Sequence, residues 1–433
     1  MLNRQSGAID IASILPTGFL GKLRGDPMLR NPDFRRFWLS RILTNFGAQV
    51  TMLALPLCAV LLLHATPAEM GMLAAIQSLP FLLFGLPTGV LLDRKRRLPV
   101  MFTSDTMVAL ALASVPLAWW LGILSVPWIY AVAFAIGTGY VVGGGAEQVY
   151  LTFLVGRDKL IAAHAKFAAT ESASRLLGPG IAGALVQLLG APLAVLCNVA
   201  AFAVSIANLK RIQVREPEPN PPQTHPLIEI REGLVFVWQM PLLRTLAWIA
   251  SAWHVLFYAF MALHVLFASR VLGLSPGMMG AAHMVGGVGV LASSLMIKPM
   301  SERFGTGATI VIGLCGSAVG FALLPLIPAG SEGHMTVTMA AYAIVVFWLD
   351  CGAMLFFVPY IALRQRITPD AMLGRMVATM RCITVAMAPI GALAAGALAE
   401  RFSVRVGLVC VAAGAILLAV ATVAGTRLRH AND

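Results

Sequence analysis

The chain has 433 residues, of which 59% are hydrophobic and 12% are charged, and its mean hydropathy is +0.83. A soluble domain of this length does not contain so much apolar sequence, so the composition excludes a soluble globular protein and predicts a polytopic membrane protein. The formal net charge of +12 could indicate nucleic-acid binding, but the cations lie between apolar runs, as in the loops of a membrane protein. We therefore expect no nucleic-acid partner.

The apolar sequence falls into twelve runs, each long enough to cross a bilayer, which takes ~20 residues at ~1.5 Å of rise per residue. We interpret residues 1–33 as a cytoplasmic arm, 34–209 and 245–425 as two six-helix bundles, and 426–433 as a cytoplasmic tail. The twelve predicted spans are 37–63, 68–92, 99–121, 126–154, 163–189, 191–209, 245–269, 276–299, 306–328, 334–363, 371–398 and 403–425.

The longest polar gap, residues 210–244, separates the two sets of six spans. It contains EPEPNPP at 216–222, whose prolines exclude regular structure. Apolar side chains then recur every three or four residues, which predicts an amphipathic helix on the membrane surface. The residues that carry this spacing are Leu227, Ile230, Leu234, Val237 and Trp238.

The two halves repeat each other at a constant offset of 209 residues. Pro241 follows Pro32 by that interval, and Gly280 follows Gly71 by the same interval. Loop charges match as well: Asp93 with Glu302, Arg94 with Arg303, Arg157 with Arg366, and Lys166 with Arg375. Two copies in the same order predict parallel six-helix repeats, related by an axis along the membrane normal.

Lys and Arg residues concentrate in the arm, in the 210–244 linker and in every second loop. Only Arg270, Arg401 and Arg405 are expected in the remaining loops. This positive-inside bias predicts that both termini face the cytoplasm.

The loop after the second span, GLPTGVLLDRKRRLPV at 85–100, is the most distinctive stretch of the chain. Gly85 and Gly89 are four residues apart on one helix face, where another backbone can approach closely. The stretch resembles the loop between helices 2 and 3 of the major facilitator superfamily, through Gly89, Leu91, Asp93, Arg94 and Arg97, although Arg96 replaces a usual glycine. The resemblance implies an all-α transporter with twelve transmembrane helices over residues 32–425. The alternative is an ordinary positively charged loop.

The same resemblance implies a gate. It places Asp93 near Arg375, at the start of helix 11, and the repeat then places Glu302, followed by Arg303, near Lys166. We expect both pairs to act as latches that hold the outward-facing state.

A second motif, GPGIAG at 178–183, lies in the fifth span. Gly178, Pro179 and Gly183 match the antiporter motif of the superfamily, whose carriers are mostly exporters, and Ala182 replaces one of its glycines. Pro179 removes one helix hydrogen bond and bends the helix. A partner surface is expected at Gly286, Gly287 and Gly289 of the eighth span. The alternative is a kinked, tightly packed helix with no part in transport.

Three longer stretches resemble the enterobactin-exporter-like branch, also called transmembrane secretion effectors: residues 31–42, 82–94 and 162–183. That resemblance implies a proton-coupled exporter of small amphiphilic compounds, drug-like or siderophore-like, in the inner membrane. The alternatives are an importer or facilitator of a polar metabolite and a non-transporting membrane scaffold.

The sequence has no HExxH or GxSxG motif, so we do not expect an enzyme. It has no Cys/His ligand spacing either, so we expect no metal and no other cofactor.

Charged side chains inside the spans are costly and are therefore candidates for function. The candidates for proton coupling are Asp350, Glu147, Glu171, Arg175 and Arg381. We expect Asp350 to pair with Arg381 and Glu147 to pair with Arg175. A carboxylate would exchange its Arg for a proton during transport, with Asp350 as the first candidate and Glu147 as the second. The alternative is static pairs that specify packing.

Other polar residues inside the spans receive different interpretations. Arg41 and Asp105 lie near the basic edge and are expected to extend their charges into water. Asn45, Gln49, Asn198 and His254 are candidates for the wall of a substrate cavity. His264 and His283 are expected to be packing residues. The partners predicted in this way are a small-molecule substrate, protons and the lipid bilayer, and we expect a monomer.

Overall fold

The computed structural model describes residues 27–214, 216, 226–330, 334–369, 372–425 and 428. The regular elements within these residues are all helices, as predicted. Twelve helices form the two halves: α1 Pro32–Leu57, α2 Pro67–Arg94, α3 Arg97–Trp120, α4 Val126–Val155, α5 Leu160–Leu189, α6 Ala191–Lys210, α7 Pro241–Leu266, α8 Pro276–Phe304, α9 Thr306–Leu323, α10 Met335–Arg366, α11 Leu373–Arg401 and α12 Val404–Gly425.

Among the described residues, eleven of these twelve helices contain a stretch long and apolar enough to span a membrane, and α5 does not. Helix α5 is more polar because it carries Lys166, Glu171 and Arg175 as well as the glycine-rich 178–183 motif. Helix α11 consists of two segments, Leu373–Ala386 and Ala388–Arg401, which meet at Met387.

The repeat is visible in the backbone. The Thr66 hydroxyl accepts a hydrogen bond from the backbone N–H of Glu69 (3.3 Å) and the Glu69 carboxylate accepts one from Thr66 (2.8 Å), which caps α2. Ser275, 209 residues after Thr66, caps α8 with its hydroxyl in the same way. The π-helical turns that extend α1 and α7, Cys58–Leu62 and Phe267–Val271, have the same offset. These matches confirm the predicted pair of parallel repeats.

The two halves touch most closely at one end of the bundle. We call the end where α1 begins the basic end, because the Lys95–Arg96 turn lies there, and the opposite end the far end. At the far end, a methyl group built on Gly71 of α2 would lie 2.9 Å from Gly396 Cα of α11. One built on Gly183 of α5 would lie 2.9 Å from Gly280 Cα of α8. These two backbone crossings form what we call the far-end seal.

Two hydrogen bonds accompany the crossings. The Glu400 carboxylate of α11 accepts one from the N–H of Ala68 at the start of α2 (3.2 Å). The Gln187 side chain of α5 accepts one from the N–H of Gly277 at the start of α8 (3.3 Å). In each case a helix from one half caps the first turn of a helix in the other half.

The constant offset of 209 residues does not extend through α11. The offset is 209 between Thr170 and Thr379 but 213 between Gly183 and Gly396, the glycines in equivalent crossings. The four additional residues amount to about one helical turn and lie around the break at Met387. The 209-residue register thus holds across most of each half, as expected, and shifts by four residues in the second segment of this helix.

The basic end is open. No described atom lies within 4 Å of a methyl group built on Gly85 or Gly89, so no backbone approaches that face of α2 in this conformation. The side chains of Glu171 and Arg175 on α5 are also exposed. The chain is therefore closed at its far end and open at its basic end.

The linker contains the expected helix, Pro226–Gln239. Val237 is buried, whereas Leu234 and Trp238 are exposed, so the predicted apolar face is divided between the protein and its surroundings. The helix is attached to α11 by an ion pair of Glu232 with Arg375 at 2.6 Å. The side chains of Leu227 and Ile230, and all of 216–222 except Glu216, lie outside the described residues.

The far-end seal can be tested through stability. Gly183→Ala places a methyl group against backbone atoms and is expected to lower the free energy of unfolding by about 1–3 kcal/mol. Gly85→Ala meets open space and is expected to leave stability unchanged or to raise it by up to about 1 kcal/mol. Thermal unfolding of both variants in detergent measures the difference, and equal midpoints would contradict the packing described.

Candidate functional site

A cavity of about 390 Å³ lies inside the N-terminal half and is closed on one side by α7. Part of its wall is apolar and part of it carries neutral polar groups. The aromatic and methionine side chains are Met52, Met70, Phe81, Tyr140, Phe202, Phe257, Tyr258 and Met261. The amide and hydroxyl side chains are Thr44, Asn45, Gln49, Thr51, Gln77 and Asn198.

Three of the four predicted cavity residues lie on this wall: Asn45, Gln49 and Asn198. The Asn198 amide is buried and donates a hydrogen bond to the Thr51 hydroxyl (2.5 Å). His254 is not on this wall; its Nδ1 lies 2.7 Å from the Ala250 carbonyl and its ring packs against Trp253. The α7 histidine on the wall is His264 instead.

A buried charged cluster occupies the basic-end side of the cavity. Arg41 Nη2 lies 2.7 Å from Asp105 Oδ2, and Arg41 Nη1 lies 3.6 Å from Glu147 Oε2. The Ser205 hydroxyl donates a hydrogen bond to Asp105 (2.9 Å) and accepts one from Arg41 (3.2 Å). The expectation that Arg41 and Asp105 reach water is wrong, because only 8% of each side chain is exposed.

Two carboxylates share one guanidinium in this cluster. When both are ionised the cluster has an excess negative charge, which burial makes unfavourable. Glu147 is the more distant from Arg41 and the more exposed, at 26% of its side chain. It is therefore the member best placed to exchange a proton or to meet a positively charged group in the cavity.

Both ion pairs predicted for the coupling residues are wrong. Arg175 pairs with Glu171, one turn away on α5, at 2.9 Å, and not with Glu147. Asp350 and Arg381 do not form an ion pair. The Arg381 guanidinium lies over the ring of Phe81, 5.3 Å from its centroid.

Asp350 lies between α8 and α10, away from the cavity wall. Its carboxylate lies against Gly286 of α8, in the space that a side chain at position 286 would need. Gly289 also faces α10, where a built methyl group would lie 2.6 Å from the Phe347 carbonyl. Only Gly287 of the three predicted α8 glycines faces α5, at Leu176.

The antiporter-like motif of α5 connects the seal to the cavity. Gly183 belongs to the far-end seal, and Gly178 faces Gln49 of the cavity wall, where a methyl group built on Gly178 would lie 2.8 Å from Gln49 Cβ. Gly180 faces Met284 of α8. Pro179 lies within the helix between these contacts. Their role in transport stays a prediction.

The gating residues are in a different arrangement from the predicted latches. Arg375 pairs with Glu232 of the linker helix, and Glu302 lies 3.8 Å from Lys298 in an exposed pair. The side chain of Asp93 lies outside the described residues. The latches are predicted for the outward-facing state and stay predictions, as do the roles of Gly89, Arg94, Arg97, Arg303 and Lys166.

Residues 37–391 match the sequence profile of the Major Facilitator Superfamily. The chain belongs to this superfamily. Its members are transporters of small molecules and not enzymes, so the protein is a multi-pass membrane transporter with a small-molecule substrate.

Several relatives are similar along most of their length. The multidrug efflux pump Tap of Mycolicibacterium fortuitum is 28% identical over 401 residues, covering 89% of this chain and 93% of the relative. The enterobactin exporter EntS of Shigella flexneri is 27% identical over 348 residues, covering 80% of each chain. These similarities confirm the predicted membership of the enterobactin-exporter-like branch.

Solved structures confirm the major facilitator fold. The nucleoside transporter NupG superposes with a TM-score of 0.75 at 10% identity, covering 91% of this chain and 98% of NupG. A bacterial homologue of the iron transporter ferroportin, in its inward-facing state, superposes with a TM-score of 0.70 at 17% identity, covering 92% and 99%.

The cluster around Arg41 can be tested through stability. Arg41→Met leaves the buried Asp105 and the half-buried Glu147 without their cation and is expected to lower the free energy of unfolding by about 3–5 kcal/mol. Arg175→Met breaks an exposed pair and is expected to cost less than about 1 kcal/mol. Thermal unfolding in detergent compares them, and similar losses in the two variants would exclude a buried network at Arg41.

Proposed function

We propose that this transporter is a proton-coupled exporter of small amphiphilic compounds. The observation that carries the proposal is the composition of the cavity wall, which combines aromatic and methionine side chains with a carboxylate cluster at one side. The apolar part of a substrate would pack against Phe81, Phe257 and Tyr258. A cationic or hydrogen-bond-donating part would meet Glu147.

The direction of transport follows from the charge pattern together with the opening. The positive-inside rule assigns the basic end to the cytoplasm, with both termini on that side of the inner membrane. The present conformation, open at the basic end, is then the inward-facing state that loads substrate from the cytoplasm. The names of Tap, an efflux pump, and EntS, an exporter, support outward transport.

Because one chain contains both halves and the whole cavity, we propose that a monomer carries out the cycle.

Glu147 is the proton carrier in this proposal. In the inward-facing state, a substrate that approaches Glu147 would favour its charged form and release its proton to the cytoplasm. In the outward-facing state, a proton from the far side would neutralise Glu147 and weaken its hold on the substrate. Asp350 is the second candidate, because it lies half-buried near the middle of α10 but does not line the cavity.

Coupling can be measured with ethidium, a fluorescent amphiphilic cation, in proteoliposomes. We expect wild-type efflux to collapse when a protonophore removes the gradient. Glu147→Gln is expected to bind ethidium more weakly, as protonated Glu147 would, and to lose accumulation against a concentration difference, because it cannot exchange a proton. Glu171→Gln, an exposed acid on α5, is the matched control and is expected to pump normally.

The outcomes separate the candidates. Normal pumping by Glu147→Gln together with failure of Asp350→Asn would move the carrier to Asp350. Normal pumping by both variants would remove acid-based coupling from the mechanism. Uptake of ethidium toward the cytoplasmic side under the same gradient would instead indicate an importer.

The latches give a separate prediction. Asp93→Asn is expected to weaken the outward-facing state by about 1 kcal/mol, which is about a fivefold change in population. Spin-label distances across the basic end measure that population, and Glu302→Gln should act in the same direction. An outward-facing structure with Asp93 far from Arg375 would rule out the first latch.

A further inference from the structure

Two histidines and a tyrosine form a column on the far-end side of the cavity, in which His264 and Tyr342 are buried and His283 is half-buried. His264 of α7 lines the cavity, and its ring centroid lies 5.8 Å from that of His283 on α8. The His283 ring lies 5.9 Å from that of Tyr342 on α10. None of these groups takes part in the charged cluster around Arg41.

The hydrogen bonds of the column determine its proton chemistry. The Nδ1 atoms of His264 and His283 lie 3.0 Å and 2.8 Å from the carbonyls of Met261 and Met279. Because a carbonyl can only accept, each Nδ1 carries the hydrogen, and each neutral ring keeps a lone pair on Nε2. The Tyr342 hydroxyl is fully buried and has no hydrogen-bond partner among the described residues.

The column lies directly beneath the far-end seal. His283 is three residues from Gly280, which forms the α5–α8 crossing with Gly183. His264 is seven residues, or ~10 Å of helix, from the end of the Phe267–Val271 turn. Separation of α5 from α8 at the seal would therefore open the pair to the far side.

One charged group on the packed helices approaches the column. The Asp350 carboxylate of α10 lies beside Gly286, three residues from His283 on α8. Arg175 and Arg381 lie toward the basic end. At the far end the charged groups have partners of their own: Glu69 caps α2, Glu400 accepts from Ala68, Arg270 donates to the Val60 carbonyl, Arg405 donates to the Ile327 carbonyl, and Arg401 lies over Phe402. Asp350 is therefore placed to stabilise a proton on the pair, because its carboxylate lies one helical turn from His283.

We propose that the His264–His283 pair is a second proton-binding site, which takes up a proton from the far side when the seal opens. The pair holds one proton, because two charged rings 5.8 Å apart repel each other in a medium of low dielectric constant. With Glu147 at the other side of the cavity, the substrate site then has a proton-binding group on each side. The inference rests on the proposed proton-coupled export.

The test uses full-length protein in proteoliposomes, with the pH varied only on the far side. Wild-type ethidium efflux is expected to rise as that pH falls from 8 to 5.5. His264→Gln and His283→Gln are expected to lose at least about tenfold in rate at low pH and to flatten the profile, while the Kd for ethidium stays within about twofold. If a glutamine variant does not fold, the same measurement is made with His264→Asn or His283→Asn.

His254→Gln is the matched control. His254 lies on the same helix and has the same contact between Nδ1 and a carbonyl, but it is off the cavity wall, so its variant should keep the wild-type profile. Wild-type profiles in the His264 and His283 variants would overturn this inference and leave proton-coupled export intact. Wild-type efflux that ignores the gradient altogether would instead refute the proposed function.

Discussion

The structure depends on close backbone contact between helices of opposite halves. Inside a bilayer there is little hydrophobic force between helices, because lipid tails are as apolar as leucine. Association must come from packing, and glycine permits the closest packing because it has no Cβ. At the far end, Gly71 meets Gly396 and Gly183 meets Gly280, whereas Gly85 and Gly89 at the basic end meet no described atom. This difference between the ends keeps the cavity open on one side only.

The two halves share a backbone plan but not their charges. Arg41, Asp105 and Glu147 make the N-terminal half strongly polar at the basic-end side of the cavity. The C-terminal half contributes His264 and His283 toward the far end, and these groups can be neutral. The proposed proton-coupled cycle uses groups that change charge at different depths, and the repeat allows this because each half can lose or gain charged residues while the packing is kept.

The sequence was sufficient to predict the helices, the repeat and the family, because these depend on local composition and on spacing along the chain. It was not sufficient to predict which charges meet. Glu147 was predicted to pair with Arg175 on the adjacent helix, but the face of α4 that carries Glu147 points toward Arg41. Arg175 instead pairs with Glu171, one turn away on its own helix. The only sequence signal for the true cluster was the presence of Arg41 and Asp105 inside apolar runs, and both were assigned to the membrane edge.

A similar limit applies to His254 and His264, which lie on the same helix. The spacing along α7 does not show which of its faces meets the N-terminal half, and that face is set by contacts such as Gly391 of α11 against the Val255 backbone. The break at Met387 adds one turn to α11, so partners inferred from the 209-residue offset are displaced beyond that point. Such changes of register are not visible until equivalent contacts can be compared.

The two crossings of the far-end seal differ in the strength of the hydrogen bond that accompanies each. Glu400 and Gln187 occupy equivalent positions and cap equivalent helix starts, but only Glu400 is charged. A carboxylate at a helix N-terminus is stabilised by the helix dipole, and its hydrogen bond is stronger than that of an amide. Both side chains are exposed, so the difference is modest, but it makes the α2–α11 crossing the harder one to separate. Opening of the far end is therefore expected to cost less free energy at the α5–α8 crossing, which lies directly above His283.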